Sequence, residues 1–191
     1  MKRILFLTIT LFPLWGLGGL YAQKEVWGTA PQGLFELQGI IARYDINGEN
    51  ATTMHSFNYP TGKVPYGKLF LASNGKLYGT TTYGGINGTE PNFGADGYGV
   101  LYEYDLTFDT YRVVHYFTGT LASPAYPTSG LIEPVPGKLY GGNMGGGFFV
   151  YDIATETASF LNHTYSFVAM GAIYGDLIKA SNVKSYSYST P

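Results

Sequence analysis

The chain has 191 residues, a formal net charge of −2, 27 glycines, 18 tyrosines, 12 phenylalanines and no cysteine. Without cysteine it has neither disulfides nor thiolate metal sites, so its stability rests on packing, for which the aromatic side chains supply the area. No basic block is present to neutralise phosphates, which argues against nucleic acids and anionic membrane surfaces as partners.

The first element is a leader. Lys2 and Arg3 precede a mostly apolar run from Ile4 to Leu17, and Leu20-Tyr21-Ala22 reads as a cleavage site. The run is short, and glycine-flanked at its end, for a membrane span, which leaves an uncleaved anchor as the rival reading. Residues 1–22 are therefore read as a signal peptide, and the absence of cysteine at the cleavage point excludes a lipid anchor. The protein is expected to be exported, whether secreted, periplasmic or on the outer cell surface, with no membrane contact after cleavage. Residues 23–191 carry 9 basic and 13 acidic side chains, a formal charge of −4.

That mature part repeats itself. Aromatic-glycine anchors fall near 26–29, 77–80 and 139–142, as Trp27-Gly28-Thr29, Tyr78-Gly79-Thr80 and Tyr140-Gly141-Gly142. Each is followed by a phrase ending in Tyr-Asp: GIIARYD to Tyr44-Asp45, GVLYEYD to Tyr104-Asp105 and GGFFVYD to Tyr151-Asp152. A third phrase precedes the next anchor, as YGKLFLASNGK from Tyr66, SGLIEPVPGK from Ser129 and YGDLIKASNVK from Tyr174. From each Tyr-Asp aspartate to the next anchor position the distances are 34, 36 and 35 residues, whereas anchor to aspartate varies as 17, 26 and 11. One part of the unit has fixed length and one loop absorbs the variation, which marks a structural repeat.

Each unit reads as four short strands. In the second unit, Leu69–Ala72 and Lys76–Thr80 flank the hairpin signal Ser73-Asn74-Gly75, and Val100–Tyr104 and Tyr111–Phe117 flank a turn opened by Asp105. Val100, Tyr102 and Tyr104 alternate with Leu101 and Glu103, so apolar residues occupy both faces and the sheet should be covered on both. A stack of such sheets is an all-β fold of β-propeller-like tandem four-stranded blades. About three units are present, fewer than the four or more blades of closed propellers. The last unit breaks off at Lys184-Ser185-Tyr186-Ser187, so an incomplete propeller is expected, with missing further repeats or an oligomeric partner to complete it. Gly79 and Gly141 are expected to lie against a neighbouring blade or in a bulge.

The motif LYGTTTYGG followed by GVLYEYD resembles the Gloeo/Verruco (GloVer) tandem repeat. The resemblance rests on Leu77-Tyr78-Gly79-Thr80-Thr81 with Gly84-Gly85 and Gly99-Val100, and on the upstream Pro65-Tyr66-Gly67. The "YGG…YD" order is also similar to kelch repeats. The third unit departs, with Gly142-Asn143 in place of the paired threonines and a shortened loop. The resemblance covers nearly all of Lys24–Asn182 and implies a propeller-like bacterial protein that is secreted or held at the cell surface.

Signals of chemistry are weak. Asp45-Ile46-Asn47-Gly48-Glu49 lacks the glycine and distal glutamate of a calcium loop and reads as a hairpin turn, so no metal and no cofactor are expected. His55 and His115 stand at matching places after their aspartates, which suits a structural role. The glycine clusters at 94–99 and 141–147 lack the lysine and helix of a phosphate loop. The long connection Thr81–Tyr98 is the candidate binding loop. Tyr83, Asn87, Asn92, Phe93, Asp96 and Tyr98 offer aromatic faces and polar edges suited to a glycan or a surface protein. In a meander this connection shares one rim with the connection Thr118–Thr128, and the tight turns share the other. The function expected is that of an exported, non-enzymatic binding or scaffolding repeat. The alternative is a fragment of a propeller enzyme acting on extracellular carbohydrate, which would need a pair of carboxylates across a cleft.

Overall fold

A computed structural model describes residues 25–31, 38–45, 50–86, 97–119, 125–161 and 173–179. Their strands form three antiparallel sheets, each a meander in chain order. The first holds β1 (Glu25–Ala30), β2 (Ile40–Asp45) and β3 (Ala51–Ser56). The second holds β4 (Phe70–Leu71), β5 (Leu77–Thr81), β6 (Val100–Asp105) and β7 (Thr110–Tyr116). The third holds β8 (Ile132–Val135), β9 (Lys138–Gly142), β10 (Phe148–Asp152) and β11 (Thr157–Phe160). The protein is therefore all-β, built of β-propeller-like tandem blades. By register β1, β2 and β3 correspond to β5, β6 and β7, so the first blade shows three strands among the described residues.

The twice-written phrase GKLYG, at 75–79 and 137–141, opens the second strand of the second and third blades. Gly75 and Gly137 both adopt φ 80°, the left-handed backbone that closes a hairpin and that glycine takes without steric cost. Lys76 reaches across to Asp105 at 3.3 Å, and Lys138 pairs with Asp152. Each aspartate also ties down its own turn: Asp105 Oδ1 accepts from the Thr107 amide at 2.8 Å, and Asp152 Oδ1 from the Ala154 amide at 2.9 Å. Leu77 and Leu139 enter the core, and burying a leucine fully contributes about 1.5–3 kcal/mol.

The final glycine makes room for a ring. Gly79 lies opposite Tyr102 and Gly141 opposite Phe149 in the strand registers. A Cβ at Gly79 would sit 2.5 Å from Tyr102 Cζ, and one at Gly141 would sit 2.5 Å from Phe149 Cε1. This corrects the expectation that these glycines face a neighbouring blade or form a bulge. The close approach comes from the next strand of the same sheet, and neither glycine has a positive φ. The registers shift elsewhere: between Ile41 and Ala42, at the equivalent place between Leu101 and Tyr102, and between Ile132 and Val135.

Alternation in β6 divides the core in two. Val100, Tyr102 and Tyr104 pack with Ile41 of the first sheet and with Phe57, just past β3. Leu101 points the other way and packs with Leu139, Phe149 and Tyr151 of the third. The middle sheet is covered on both faces, as its residue pattern predicts. Glu103 shares the Leu101 face and is only 6% exposed. It accepts hydrogen bonds from Lys76, Tyr78 and Arg112, each at 3.0 Å, and Arg112 grips Glu156 of the third sheet with two more. Burial opposes its negative charge, but the bonds from Arg112, Lys76 and Tyr78 outweigh that and hold its carboxyl below the usual range.

Candidate functional site

The two ends of the blades differ in chemistry. At one end lie the hairpin turns and their ion pairs, joined between sheets by Glu133, which accepts from Ser73 N at 2.8 Å and from Gly137 N at 2.6 Å. At the other end, as a meander requires, the described ends of the connection Thr81–Tyr98 meet the described part of the connection from β7 to β8, through Tyr83, Tyr98 and Tyr126.

That second rim is built on two strained residues. Val64 and Tyr126 occupy equivalent places and adopt φ 59° and 60°. For a side-chain-bearing residue before a proline this conformation costs on the order of 1–3 kcal/mol. Backbone hydrogen bonds on both sides hold it. Val64 donates to Gln38 O at 2.7 Å and accepts from Thr82 N at 3.0 Å. Tyr126 donates to Tyr98 O and accepts from Met144 N, both at 2.9 Å. In each case the linker is pinned between the preceding blade and its own.

Just after these residues come Pro65-Tyr66 and Pro127-Thr128. Tyr66 and Tyr174 open the same phrase in different units, and they meet Thr128 around one cleft of ≈ 450 Å³. Tyr83, Met144 and Gly175 complete its described lining. Tyr66 is 61% exposed and Tyr174 68%, so both phenol rings stand open to solvent. Tyr83 is held by a pair of backbone hydrogen bonds with Lys63, at 2.7 and 3.1 Å. Its ring meets Tyr126 edge-on at 5.5 Å, and Tyr98 lies behind Tyr126 at 5.8 Å.

Of the residues that sequence reasoning singles out for binding, Tyr83 lines the cleft. Tyr98 is outside that lining; its ring packs against Tyr126 and over Gly119, where a Cβ would meet it at 2.6 Å. Asn87, Asn92, Phe93 and Asp96 lie outside the described residues. Sequence reasoning missed Tyr66 and Tyr174 as site residues. Their signal was present, because YGKL and YGDL open the same phrase 108 residues apart. Repetition pointed to a structural role, whereas their exposure is what makes them available.

The remaining candidates resolve into structure. Asp45 accepts from Asn50 Nδ2 at 2.8 Å, bracing its turn. His55 stacks on Tyr111 at 3.7 Å, and His115 meets Phe117 edge-on at 5.0 Å, as His55 does Phe57. Among the described residues no cluster of three or more His, Asp or Glu could hold a metal ion, and no helix is long and apolar enough to cross a membrane.

No family model and no curated protein matches the chain. Among solved structures it is similar to a chain in the crystal structure of a nidogen/laminin complex. That match has 12% identity and a TM-score of 0.53, covering 81% of this chain and 47% of that one. The chain thus spans about half the length of that protein. Two extracellular domains from B. thetaiotaomicron also match. One, from a hybrid two-component system, has 17% identity, covers 64% of this chain and 15% of its own, and has a TM-score of 0.43. The other, from a one-component system, has 15% identity, covers 66% and 15%, and has a TM-score of 0.44. At these identities the nidogen/laminin likeness speaks for the fold alone.

Proposed function

We propose that the protein is an exported, non-enzymatic β-propeller-like module that binds a glycan in the tyrosine cleft. The observation that carries this reading is the convergence of exposed Tyr66 and Tyr174 with Tyr83 around one cleft of ≈ 450 Å³. Its size falls within the range of about 300–1,000 Å³ usual for ligand sites. Phenol rings offer flat apolar faces to the C–H face of a sugar, while their hydroxyls offer hydrogen bonds to its own. The described lining carries no carboxylate, imidazole or ammonium group, so it is suited to holding a neutral ligand. Export is supported by the leader at 1–22 and by the resemblance to GloVer repeats.

A glycan array probed with the whole chain, followed by calorimetry on the best ligand, tests this. The double variant Tyr66→Ala/Tyr174→Ala should lose at least about tenfold in affinity, or 1.4 kcal/mol. It should keep its melting temperature, because both rings are exposed. A silent array, or equal affinity in the double variant, overturns glycan binding. Hydrolysis of the bound glycan overturns the non-enzymatic reading and calls for a carboxylate pair about 5–10 Å apart at the cleft.

A further inference from the structure

The walls of the tyrosine cleft are held in different ways. Tyr83 follows β5 and is fixed by backbone hydrogen bonds to Lys63. Tyr174 stands past the third blade, in the segment 173–179, and its ring is 68% exposed. A ring with so little packing takes its aim from its backbone.

That backbone is tied to the third blade. Ile173 N donates to Asn143 O at 3.2 Å, Gly130 N donates to Gly175 O at 3.1 Å, and Ser129 and Gly175 form a parallel bridge. The shortest of these ties to residues 173–175 comes from a side chain: Thr128 Oγ1 donates to Ile173 O at 2.7 Å. The Ile173 carbonyl belongs to the rigid peptide plane that ends at the Tyr174 Cα, so fixing that oxygen fixes the plane from which the Tyr174 ring hangs. Thr128 is itself firmly placed. It is 4% exposed, its amide donates to Gly142 O at 3.1 Å, and the preceding Pro127 O accepts from Thr82 Oγ1 at 3.0 Å. The ion pair of Lys68 with Asp176 also reaches the segment, but its side chains are 77% and 49% exposed, and exposed pairs contribute little.

We propose that Thr128 is the positioning residue of the tyrosine cleft: its hydroxyl sets the peptide between Ile173 and Tyr174 and so aims the Tyr174 ring at the ligand. This inference rests on glycan binding in that cleft. The hydroxyl proton is committed to Ile173 O, so Thr128 acts through Tyr174 and does not donate to the sugar. Valine at this place has the same shape but offers a methyl group where the hydroxyl stood, 2.7 Å from the carbonyl oxygen. Carbon and oxygen need about 3.3 Å or more. The peptide therefore loses its bond and moves by about half an ångström, which is as much as a binding constellation tolerates.

Calorimetry on the whole chain, with the neutral oligosaccharide that gives the strongest array signal, tests this. Thr128→Val should weaken binding at least about threefold, whereas Thr128→Ser, which keeps the oxygen, should stay within about twofold of the unaltered chain. In a Tyr174→Ala background Thr128→Val should cost nothing further, and in a Tyr66→Ala background it should keep its full effect. Asp176→Asn, which breaks the exposed pair, should change affinity by less than about twofold. If Thr128→Val does not fold, Thr128→Ala removes the bond without inserting a methyl group and runs the same cycle. Unchanged affinity in Thr128→Val overturns the positioning role and leaves glycan binding standing. A loss that persists in the Tyr174→Ala background overturns it too, because Thr128 would then meet the sugar itself. So does a larger loss in Asp176→Asn than in Thr128→Val. A silent array overturns this inference together with the reading it rests on.

Discussion

At the scale of single residues, the anchor glycines show how a missing side chain specifies a core. Gly79 lies mid-strand with an ordinary φ, so conformational freedom does not explain it; the ring of Tyr102, wholly buried, occupies the space that a Cβ would need. Gly28 holds the same place in the first blade, opposite Ala42 instead of an aromatic ring, and a Cβ there would meet nothing within 4 Å. The two positions therefore separate the loss of glycine from the presence of a clash. Gly79→Ala should destabilise by about 1–3 kcal/mol through overpacking. Gly28→Ala should be neutral or stabilising by up to about 1 kcal/mol, since it restricts the unfolded chain and meets no obstacle. Urea melts of both variants check this, and equal shifts in midpoint would refute the pairing of anchor glycine with cross-strand ring.

At the scale of elements, the same solution recurs with its chemistry altered. Glu25 pairs with Arg43 at 3.4 Å where the second blade pairs Lys76 with Glu103, so the charges are exchanged while the diagonal contact is kept. His55 on β3 and His115 on β7 lie opposite Ile41 and Leu101, next to the register shifts of their sheets. Burial pushes His55 down to about 4 and lowers His115 in the same sense. The unfolded chain, with histidine near 6.5, therefore takes up protons that the folded chain refuses. Stability is full above about pH 6.5 and falls as pH drops from there towards 4. With partial exposure discounted, His55 accounts for about 2 kcal/mol of that loss. His55→Phe keeps a ring on Tyr111 and should flatten most of the decline between pH 6.5 and 4.5 in urea midpoints. It should leave the steeper loss below pH 4, where carboxylates such as Glu103 take up protons. An unchanged pH profile in His55→Phe would assign the decline to other groups.

At the scale of the whole molecule, the blade order was legible because repetition constrains spacing. Fixed lengths from Tyr-Asp to the next anchor reveal a unit, and two-residue alternation in Val100–Tyr104 reveals sheets covered on both faces. The cleft was less legible, because it forms where Tyr66, Thr128 and Tyr174 from different units converge, and no local pattern records that convergence. The Glu103–Arg112–Glu156 tie was hidden for a similar reason, since alternation says which face a charge takes but not what it meets there. A further consequence follows from the order of the sheets. Residues 100–104 of β6 are buried along their whole length, between core clusters contributed by both neighbouring sheets, whereas β11 is the outer edge of the third sheet. Exposing β6 means separating all three sheets, while β11 can detach alone. Native-state hydrogen exchange should therefore find the Leu101 and Tyr102 amides opening only with global unfolding, and the β11 amides opening at lower free energy by about 2 kcal/mol or more. Equal protection in β6 and β11 would mean that the blades open as one unit, and faster exchange in β6 would show that the middle sheet is not the stable centre of the array.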